Sequence, residues 1–201
     1  MYLRRRGWTG DDSFSLRTAA GEVRPRITGA STCTVDMGRA RLRSERDYPS
    51  GSDDGAGQVS AGGREFSFQF VQVGNPQCSI EVGDELDALE LQRYVPEIEH
   101  SELFPNRTNV SFWRRDGESD IHVRIFERGV GETMSSGTGA TGAAVAAVLG
   151  GADSPVTAHL DGGDLEIDIG EDMHVDLTGW AVPVYAGTLS DEFVKELHAS
   201  V

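Results

Sequence analysis

A helix with almost no polar face constrains this chain more than any other feature of its sequence. The segment AAVAAVLGG, at residues 143–151, contains only alanine, valine, leucine and glycine. A helix on a protein surface needs a polar stripe toward water, and this segment has none. We therefore expect a helix over about residues 139–149, ended by Gly150 and Gly151 and enclosed by other elements of the fold.

Alternating apolar residues predict that those enclosing elements are strands. EFSFQFVQV places Phe66, Phe68 and Phe70 on one face and then changes phase, which indicates a bulge or burial on both faces. The predicted strands cover residues 65–73, 78–82, 108–113, 120–128, 164–170 and 174–179. Further helices are predicted over about residues 85–93, closed by Pro96, and 191–198, while residues 49–64 have the composition of a flexible loop. The fold class is therefore α+β, with a strongly curved sheet wrapped around one helix.

Charge and hydropathy exclude several classes of protein. The 33 acidic and 18 basic residues give a net charge of −15, which argues against nucleic acid as a partner. No apolar run approaches the ~20 residues of a membrane helix, which argues against a membrane partner as well. The start, MYLRRRGW, lacks the apolar region of a secretory signal, so a cytoplasmic location is expected.

The cysteines and histidines indicate neither a disulfide framework nor a metal site. Cys33 and Cys78 lie in strand-like segments and are best interpreted as buried thiols. The histidines are scattered without the spacing of metal ligands, so no metal is expected.

A run of hydroxyls and glycines leads directly into the apolar helix: Ser135, Ser136, Gly137, Thr138 and Gly139. The first N–H groups of a helix lack partners within the helix, and its dipole favours negative charge there. A carboxylate or phosphate could bind at this end. A plain N-cap with small residues for close packing is an equally good interpretation. A P-loop is excluded, because Ala143 rather than Lys follows the last glycine.

A charged pair, Glu127 and Arg128, ends the alternating strand just before this run. The pair could form an ordinary surface ion pair. Placed beside a helix end that favours anions, it would also suit a ligand carrying both an amine and a carboxylate. From the residues alone we therefore predict a pocket for an amino acid.

Ordered sequence blocks resemble the diaminopimelate epimerase family over nearly the whole chain. The block ERGVGETMSSGTGATGAA is similar to the family's ERGxGET signature, in which a cysteine precedes the glycines. The other similar blocks are GEVRPRI with TVDMG, VGNPQCSIEV, FPNRTNVSF and GWAVPVYAGTL. Several blocks in the same order are far more specific than one short motif.

The resemblance implies a fold and a reaction. The fold has two pseudo-symmetric halves, each a curved sheet around a central helix, with the active site between them. The reaction is inversion at one α-carbon of LL-diaminopimelate to give the meso form, without a cofactor. In the family two cysteines act on opposite faces of that carbon, one removing and one returning the proton, and a thiol suits both tasks near neutral pH.

The resemblance also assigns roles to residues of this chain. The distal end of the substrate would be held by Asn75, Asn109 and Arg128. The amine at the reacting carbon would meet Glu127. Gly137 and Thr138 would donate to the α-carboxylate, in agreement with the anion-binding interpretation of the helix start.

Two positions depart from the family pattern. The second catalytic cysteine falls on Ser136, whose hydroxyl is a far weaker acid than a thiol and hardly ionises without a neighbouring base. The histidine after Asn-Pro is replaced by Gln77. The expected function is an epimerase-like isomerase; a catalytically inactive amino-acid-binding protein, or a dehydratase or lyase that uses Ser136 as an acid, remain open.

The sequence begins just after the point at which the family carries its first catalytic cysteine. We therefore expect the given start to be internal to a longer reading frame or truncated. The predicted organisation is a remnant of the first half over residues 1–38, an epimerase-like domain over 39–179, and a strand and helix over 180–201 that return to the first half. A small diamino-dicarboxylate is the expected substrate, and a homodimer is a possible assembly.

Overall fold

The computed structural model describes residues 2–18 and 21–199. Within these residues the α-helices are α1 (Tyr2–Arg5), α2 (Leu91–Glu99), α3 (Gly137–Leu149) and α4 (Asp191–Ala199). A 3-10 helix, Gly83–Ala88, precedes α2. The described strands are β1 (Leu16–Thr18), β2 (Gly21–Val23), β3 (Pro25–Ile27), β4 (Thr32–Arg39), β5 (Ala56–Ala61), β6 (Arg64–Val73), β7 (Asn75–Glu81), β8 (Asn109–Arg115), β9 (Asp120–Glu127), β10 (Gly131–Thr133), β11 (Val156–Leu160), β12 (Gly163–Ile169) and β13 (His174–Trp180).

One mixed sheet of the described residues carries eleven of these strands, in the order β3-β4-β13-β12-β11-β9-β8-β7-β6-β5, with β10 paired to β9. The β7–β8 and β9–β11 pairs are parallel, and the other pairs in the sheet are antiparallel. β1 and β2 form a separate hairpin. The expected α+β class with a mixed sheet is confirmed.

The apolar helix predicted from the sequence is α3, and the sheet encloses it. Strands β6, β7, β8, β9, β11, β12 and β13 all contact it, which requires the sheet to curve around the helix. Nine residues of α3 are buried, from Gly139 to Ala147. The small side chains allow this close approach: a Cβ added at Gly139 would lie 2.8 Å from Ile125, and one at Gly142 would lie 2.8 Å from Cβ of Gln77.

A second core lies on the other face of the sheet and is rich in aromatic residues. Phe66, Phe68 and Phe70 of β6 pack there with Phe104 and residues of α2, whereas Val71 belongs to the core around α3. The phase change in β6 therefore reflects burial on both faces, as one of the two sequence interpretations predicted. Cys78 is also buried in this second core.

Two segments differ from the sequence predictions before α3. In place of the single helix predicted over about residues 85–93, the 3-10 helix Gly83–Ala88 is followed by α2, which begins at Leu91 and extends through Pro96 to Glu99. Burial of Leu91, Val95 and Ile98 outweighs the single backbone hydrogen bond that the proline removes. Residues 49–64 are not wholly a loop either, because β5 pairs with β6 along its full length.

Of the strand predicted at the start of residues 180–201, only Trp180 lies in a strand. β13 ends at Trp180, and residues 181–190 have no regular structure, with Val184 and Tyr185 88–89% exposed. A strand needs a partner for its backbone groups, and no described strand lies beside this segment. The predicted C-terminal helix is present as α4.

The predicted domain boundaries remain predictions. β3 and β4, which fall in the predicted 1–38 segment, join the main sheet through the antiparallel pairing of β4 with β13. Among the described helices, none is long and apolar enough to cross a membrane.

Candidate active site

Ser136 is the N-cap of α3, and it leaves two backbone donors free. Its extended backbone ends the preceding loop, and its Oγ accepts a 3.4 Å hydrogen bond from the N–H of Gly139. Its carbonyl accepts a 2.9 Å bond from Ala140. Within the described residues, the N–H groups of Gly137 and Thr138 have no acceptor. These two donors therefore face the space in front of the helix with the positive end of its dipole behind them.

The loop before α3 is hydrogen-bonded to the turn of the hairpin between β11 and β12. The N–H of Gly162 donates a 2.7 Å bond to the carbonyl of Met134. A Cβ at Gly162 would lie 2.9 Å from that carbonyl and 3.0 Å from Ser135. Only glycine at this position lets the hairpin approach closely enough to fix the residues that lead to Ser136.

The predicted site residues of the sheet lie at strand ends beside the start of α3. Ser111 of β8 donates a 3.3 Å hydrogen bond to the carbonyl of Gly139, and Arg115 reaches the last turn of the helix, so α3 runs along β8 in the same direction. Side chains alternate across a strand, so Asn109 shares the face of Ser111 and lies one step before it, toward the helix start. β9 is antiparallel to β8, with Phe126 opposite Val110, so Glu127 lies at the same end of the sheet as Asn109.

The side-chain amide oxygens of Asn75 and Asn109 both accept hydrogen bonds from other residues of the protein. Nε2 of the buried Gln77 donates a 2.7 Å bond to Oδ1 of Asn75. The backbone N–H of Arg128 donates a 3.0 Å bond to Oδ1 of Asn109. In the described part of the chain, the NH₂ group of neither asparagine has an acceptor. The asparagines therefore offer donors, and donors suit a carboxylate.

Arg128 is exposed at the turn after β9. Its Nη1 donates a 2.7 Å bond to the carbonyl of Asn106, which the sequence did not single out. The surface ion pair between Glu127 and Arg128, left open above, does not form: no ion pair of the described residues includes either side chain. Both charged groups remain available to a ligand.

The hydroxyl of Ser136 has no base beside it. Among the described residues its one hydrogen-bond partner is the N–H of Gly139, which donates to the hydroxyl and cannot take its proton. Neither cysteine can replace the missing thiol here. Complete burial raises the pKa of the Cys78 thiol well above its usual value, and Cys33 lies on β4 with its thiol bonded to the carbonyl of Thr34. Both cysteines are strand residues, as predicted, but of the two expected buried thiols only Cys78 is buried, and Cys33 is half-buried.

A cluster on the face of β4 and β13 opposite α3 brings together a histidine and two carboxylates. Asp36 of β4 and His174 and Asp176 of β13 have potential ligand atoms within 4.8 Å of one another. His174 and Asp36 form a cross-strand ion pair, with Nε2 and Oδ1 3.2 Å apart. Sequence spacing could not reveal this cluster because it depends on the pairing of two distant strands. The cross-strand ion pair accounts for it.

Sequence comparison identifies the family. The family model described as diaminopimelate epimerase matches residues 69–184, which include every predicted site residue. A diaminopimelate epimerase of Desulfitobacterium hafniense is 37% identical over 199 residues, covering 95% of this chain and 70% of the relative. One of Pelotomaculum thermopropionicum is 41% identical over 194 residues, covering 92% and 69%. This chain belongs to the diaminopimelate epimerase family. It is thus an epimerase-like isomerase by family.

Solved structures support the same fold. A hydroxyproline epimerase from Agrobacterium vitis superposes with a TM-score of 0.61 at 16% identity, covering 89% of this chain and 61% of that one. A probable proline racemase from Agrobacterium radiobacter superposes with a TM-score of 0.63 at 16% identity, covering 94% and 64%. The chain therefore spans about 70% of the curated diaminopimelate epimerases and less than two thirds of these two structures.

Proposed function

We propose that this chain binds diaminopimelate and takes part in cofactor-independent inversion at one α-carbon, which converts the LL form to the meso form. The observation that carries the proposal is the convergence of strand-end side chains on the free donors of α3. Asn75, Asn109 and Arg128 offer donors to one carboxylate, while the N–H groups of Gly137 and Thr138 offer donors to another. A ligand with two separated amino-acid ends matches this arrangement.

In this proposal Ser136 acts on the α-proton only as an acid. Inversion requires a base to remove the proton from one face and an acid to return a proton to the other. The Ser136 hydroxyl lies beside the donors proposed for the α-carboxylate. It would give its proton to the carbanion formed by a base on the opposite face, which the residues named here do not supply, and would then regain a proton from solvent. With no base beside it, the hydroxyl does not supply the reverse step at the rate a thiol would. Glu127 would meet the amine at the reacting carbon.

A catalytically inactive binding protein is the second candidate function. The observation that favours it is the bonding of Ser136, whose Oγ is used as the N-cap acceptor of α3. In that case every group proposed to bind the substrate would keep its role, and no α-proton would exchange. The two candidates therefore differ in proton exchange and agree in binding.

The experiment compares α-proton exchange of meso-diaminopimelate in D₂O, followed by NMR, for the unmodified chain and for Ser136→Cys. Ser135→Cys is the matched control, because it adds a thiol one residue away from the N-cap on an exposed residue. Binding of meso-diaminopimelate by each protein is measured by calorimetry. We expect all three proteins to bind and Ser136→Cys alone to exchange faster than the unmodified chain.

The outcomes separate the candidates. Binding without measurable exchange by the unmodified chain would favour the inactive binding protein, whatever the cysteine variants do. Equal acceleration by the two cysteine variants would mean that position 136 is not the acid position. Absence of binding would reject diaminopimelate as the ligand. A homodimer and a cytoplasmic location, both expected from the sequence, belong to this proposal as predictions.

A further inference from the structure

A buried carboxylate outside the predicted site lies at the end of α2. Glu99, the last residue of that helix, is only 4% exposed. Burial of a carboxylate is costly unless the group is paired and hydrogen-bonded. The partners of Glu99 therefore show what this carboxylate holds in place.

Two turns share one oxygen of Glu99. Oε1 accepts a 3.1 Å bond from the backbone N–H of Gly129 and a 3.4 Å bond from Nη1 of Arg107. Gly129 has φ of 73° and lies at the tip of the turn between β9 and β10, which the N–H of Val130 closes on the carbonyl of Glu127. Arg107 closes a second turn by donating its N–H to the carbonyl of Phe104.

Each of these turns presents a residue proposed to bind the ligand. The first carries Arg128 next to Gly129, and the second leads directly into Asn109. The backbone of Arg107 has φ of 60°, a left-handed conformation that a non-glycine residue rarely adopts without support. The salt bridge to Glu99 supplies that support. One buried carboxylate thus fixes both turns and the distance between them.

We infer that Glu99 is a positioning residue: it holds the turn of Arg128 and the turn before Asn109 at the spacing that lets both side chains meet the distal carboxylate of diaminopimelate. The inference rests on the proposed function for the identity of the ligand. Among the described residues, no hydrogen bond joins the side chain of Glu99 to Asn109 or to the start of α3. Its effect is therefore expected on the binding of the distal end, through two backbone turns.

The same helix offers a matched control. Oε2 of Glu97 accepts a 2.9 Å bond from the backbone N–H of Gly62 in the turn between β5 and β6. Glu97→Ala therefore removes the same kind of bond, from carboxylate to glycine N–H, at a turn that holds no proposed site residue. Glu99→Gln keeps an oxygen that can accept from Gly129 and loses only the charge that faces Arg107.

The test measures hydrogen exchange of the Gly129 amide by NMR and binding of meso-diaminopimelate by calorimetry, in the unmodified chain and the three variants. For Glu99→Ala we expect faster exchange at Gly129 and affinity reduced by about tenfold or more, because a charge-assisted bond is lost. Glu97→Ala should change neither quantity. Glu99→Gln should keep most of the Gly129 protection and lose affinity to a smaller extent.

The two readouts distinguish failure of this inference from failure of the proposed function. If the unmodified chain binds meso-diaminopimelate and Glu99→Ala binds equally well, the inference is overturned and the proposed function stands. If affinity falls equally in Glu99→Ala and Glu97→Ala, the effect is general and the inference is also overturned. If the unmodified chain does not bind meso-diaminopimelate, the proposed function fails. Hydrogen exchange of the Gly129 amide can be measured without a ligand, and unchanged exchange in both Glu99 variants would reject the positioning contact. If Glu99→Ala does not fold, the affinity of Glu99→Gln for meso-diaminopimelate and its Gly129 exchange test the inference instead.

Discussion

The side-chain oxygen of Asn109 accepts a 3.0 Å hydrogen bond from the backbone N–H of Arg128. Asn109 is buried at the start of β8, and Arg128 follows the end of β9. This bond fixes the amide orientation of Asn109, because the oxygen is held by the protein and the NH₂ group is left for a ligand.

Substitutions of Asn109 should separate its role as the acceptor for the Arg128 N–H from its proposed role as a donor to the ligand. Asn109→Ala removes the acceptor, so we expect the free energy of unfolding to fall by about 1–3 kcal/mol, the cost of an unsatisfied buried group. Asn109→Asp restores an acceptor for the Arg128 N–H but offers no donor, so amide exchange at Arg128 should stay slow while meso-diaminopimelate binding is lost. Calorimetry and hydrogen exchange measure the two effects. Unchanged binding by Asn109→Asp would contradict the donor role.

Ser136→Ala tests the N-cap. Loss of the Oγ acceptor for the Gly139 N–H should lower the free energy of unfolding by about 0.5–1 kcal/mol, since the observed bond is long at 3.4 Å. Denaturant unfolding measures the change, with Ser135→Ala as the control on the exposed neighbour. Equal effects of the two substitutions would show that the hydroxyl of Ser136 does not cap the helix.

Gly142→Ala tests the close contact between α3 and β7. The added Cβ would lie 2.8 Å from Cβ of Gln77 and 3.2 Å from Oγ of Ser79. Overpacking costs about 1–3 kcal/mol, which we expect to outweigh the gain of about 1 kcal/mol in helix propensity. Gly150→Ala is the control, because its nearest neighbour would be 3.4 Å away. Thermal unfolding should show a lower Tm for Gly142→Ala alone.

The two carboxylates that bond to His159 predict that the stability of the protein depends on pH. The hydrogen bond to Asp164, followed by that to Asp120, raises the pKa of His159 above its ordinary value. A raised pKa means that protonated His159 stabilises the fold; this contribution is complete below its unfolded pKa of about 6.5 and is lost as pH rises through the folded pKa. His159→Gln should therefore lower Tm at about pH 5.5 and have little effect at about pH 9.

The control for this pH dependence is His198→Gln on the exposed helix α4. Its effect on Tm at the lower pH should be smaller than that of His159→Gln, because no ion pair of the described residues includes His198. If His159→Gln behaves in the same way, the aspartates do not stabilise the protonated histidine in the folded state.

The sequence predicted the parts of the fold that local pattern determines. The apolar composition of α3 required enclosure, and alternation located β6, β9, β12 and β13 within a few residues. The prediction of a strand at the start of residues 180–201 has the opposite character, because whether an apolar segment forms a strand depends on a partner that local sequence does not describe. The continuation of α2 through Pro96 likewise depends on burial against the sheet.

The residues of the candidate site also divide into those that local sequence reveals and those that it does not. Ser136, Gly137, Thr138, Glu127 and Arg128 stood out because glycines, hydroxyls and charges lie together in one stretch of sequence. Glu99 and Asn106 could not be found by such a signal, since Gly129 lies 30 residues from Glu99 and Arg128 lies 22 residues from Asn106 along the chain. Residues that support a site from a distance carry no local pattern of their own, and only the fold brings them to it.

The enclosure of α3 has a consequence for how chemistry can vary on this scaffold. From Gly139 to Ala147 each residue is buried, so a new functional group there would have to displace part of the protein interior. The first turn is different, because residues 136–138 meet the sheet on one side and open space on the other. We therefore expect changes in reactivity to be confined to those few positions, where an exchange between thiol and hydroxyl at residue 136 would change the acidity of the side chain and leave the architecture intact.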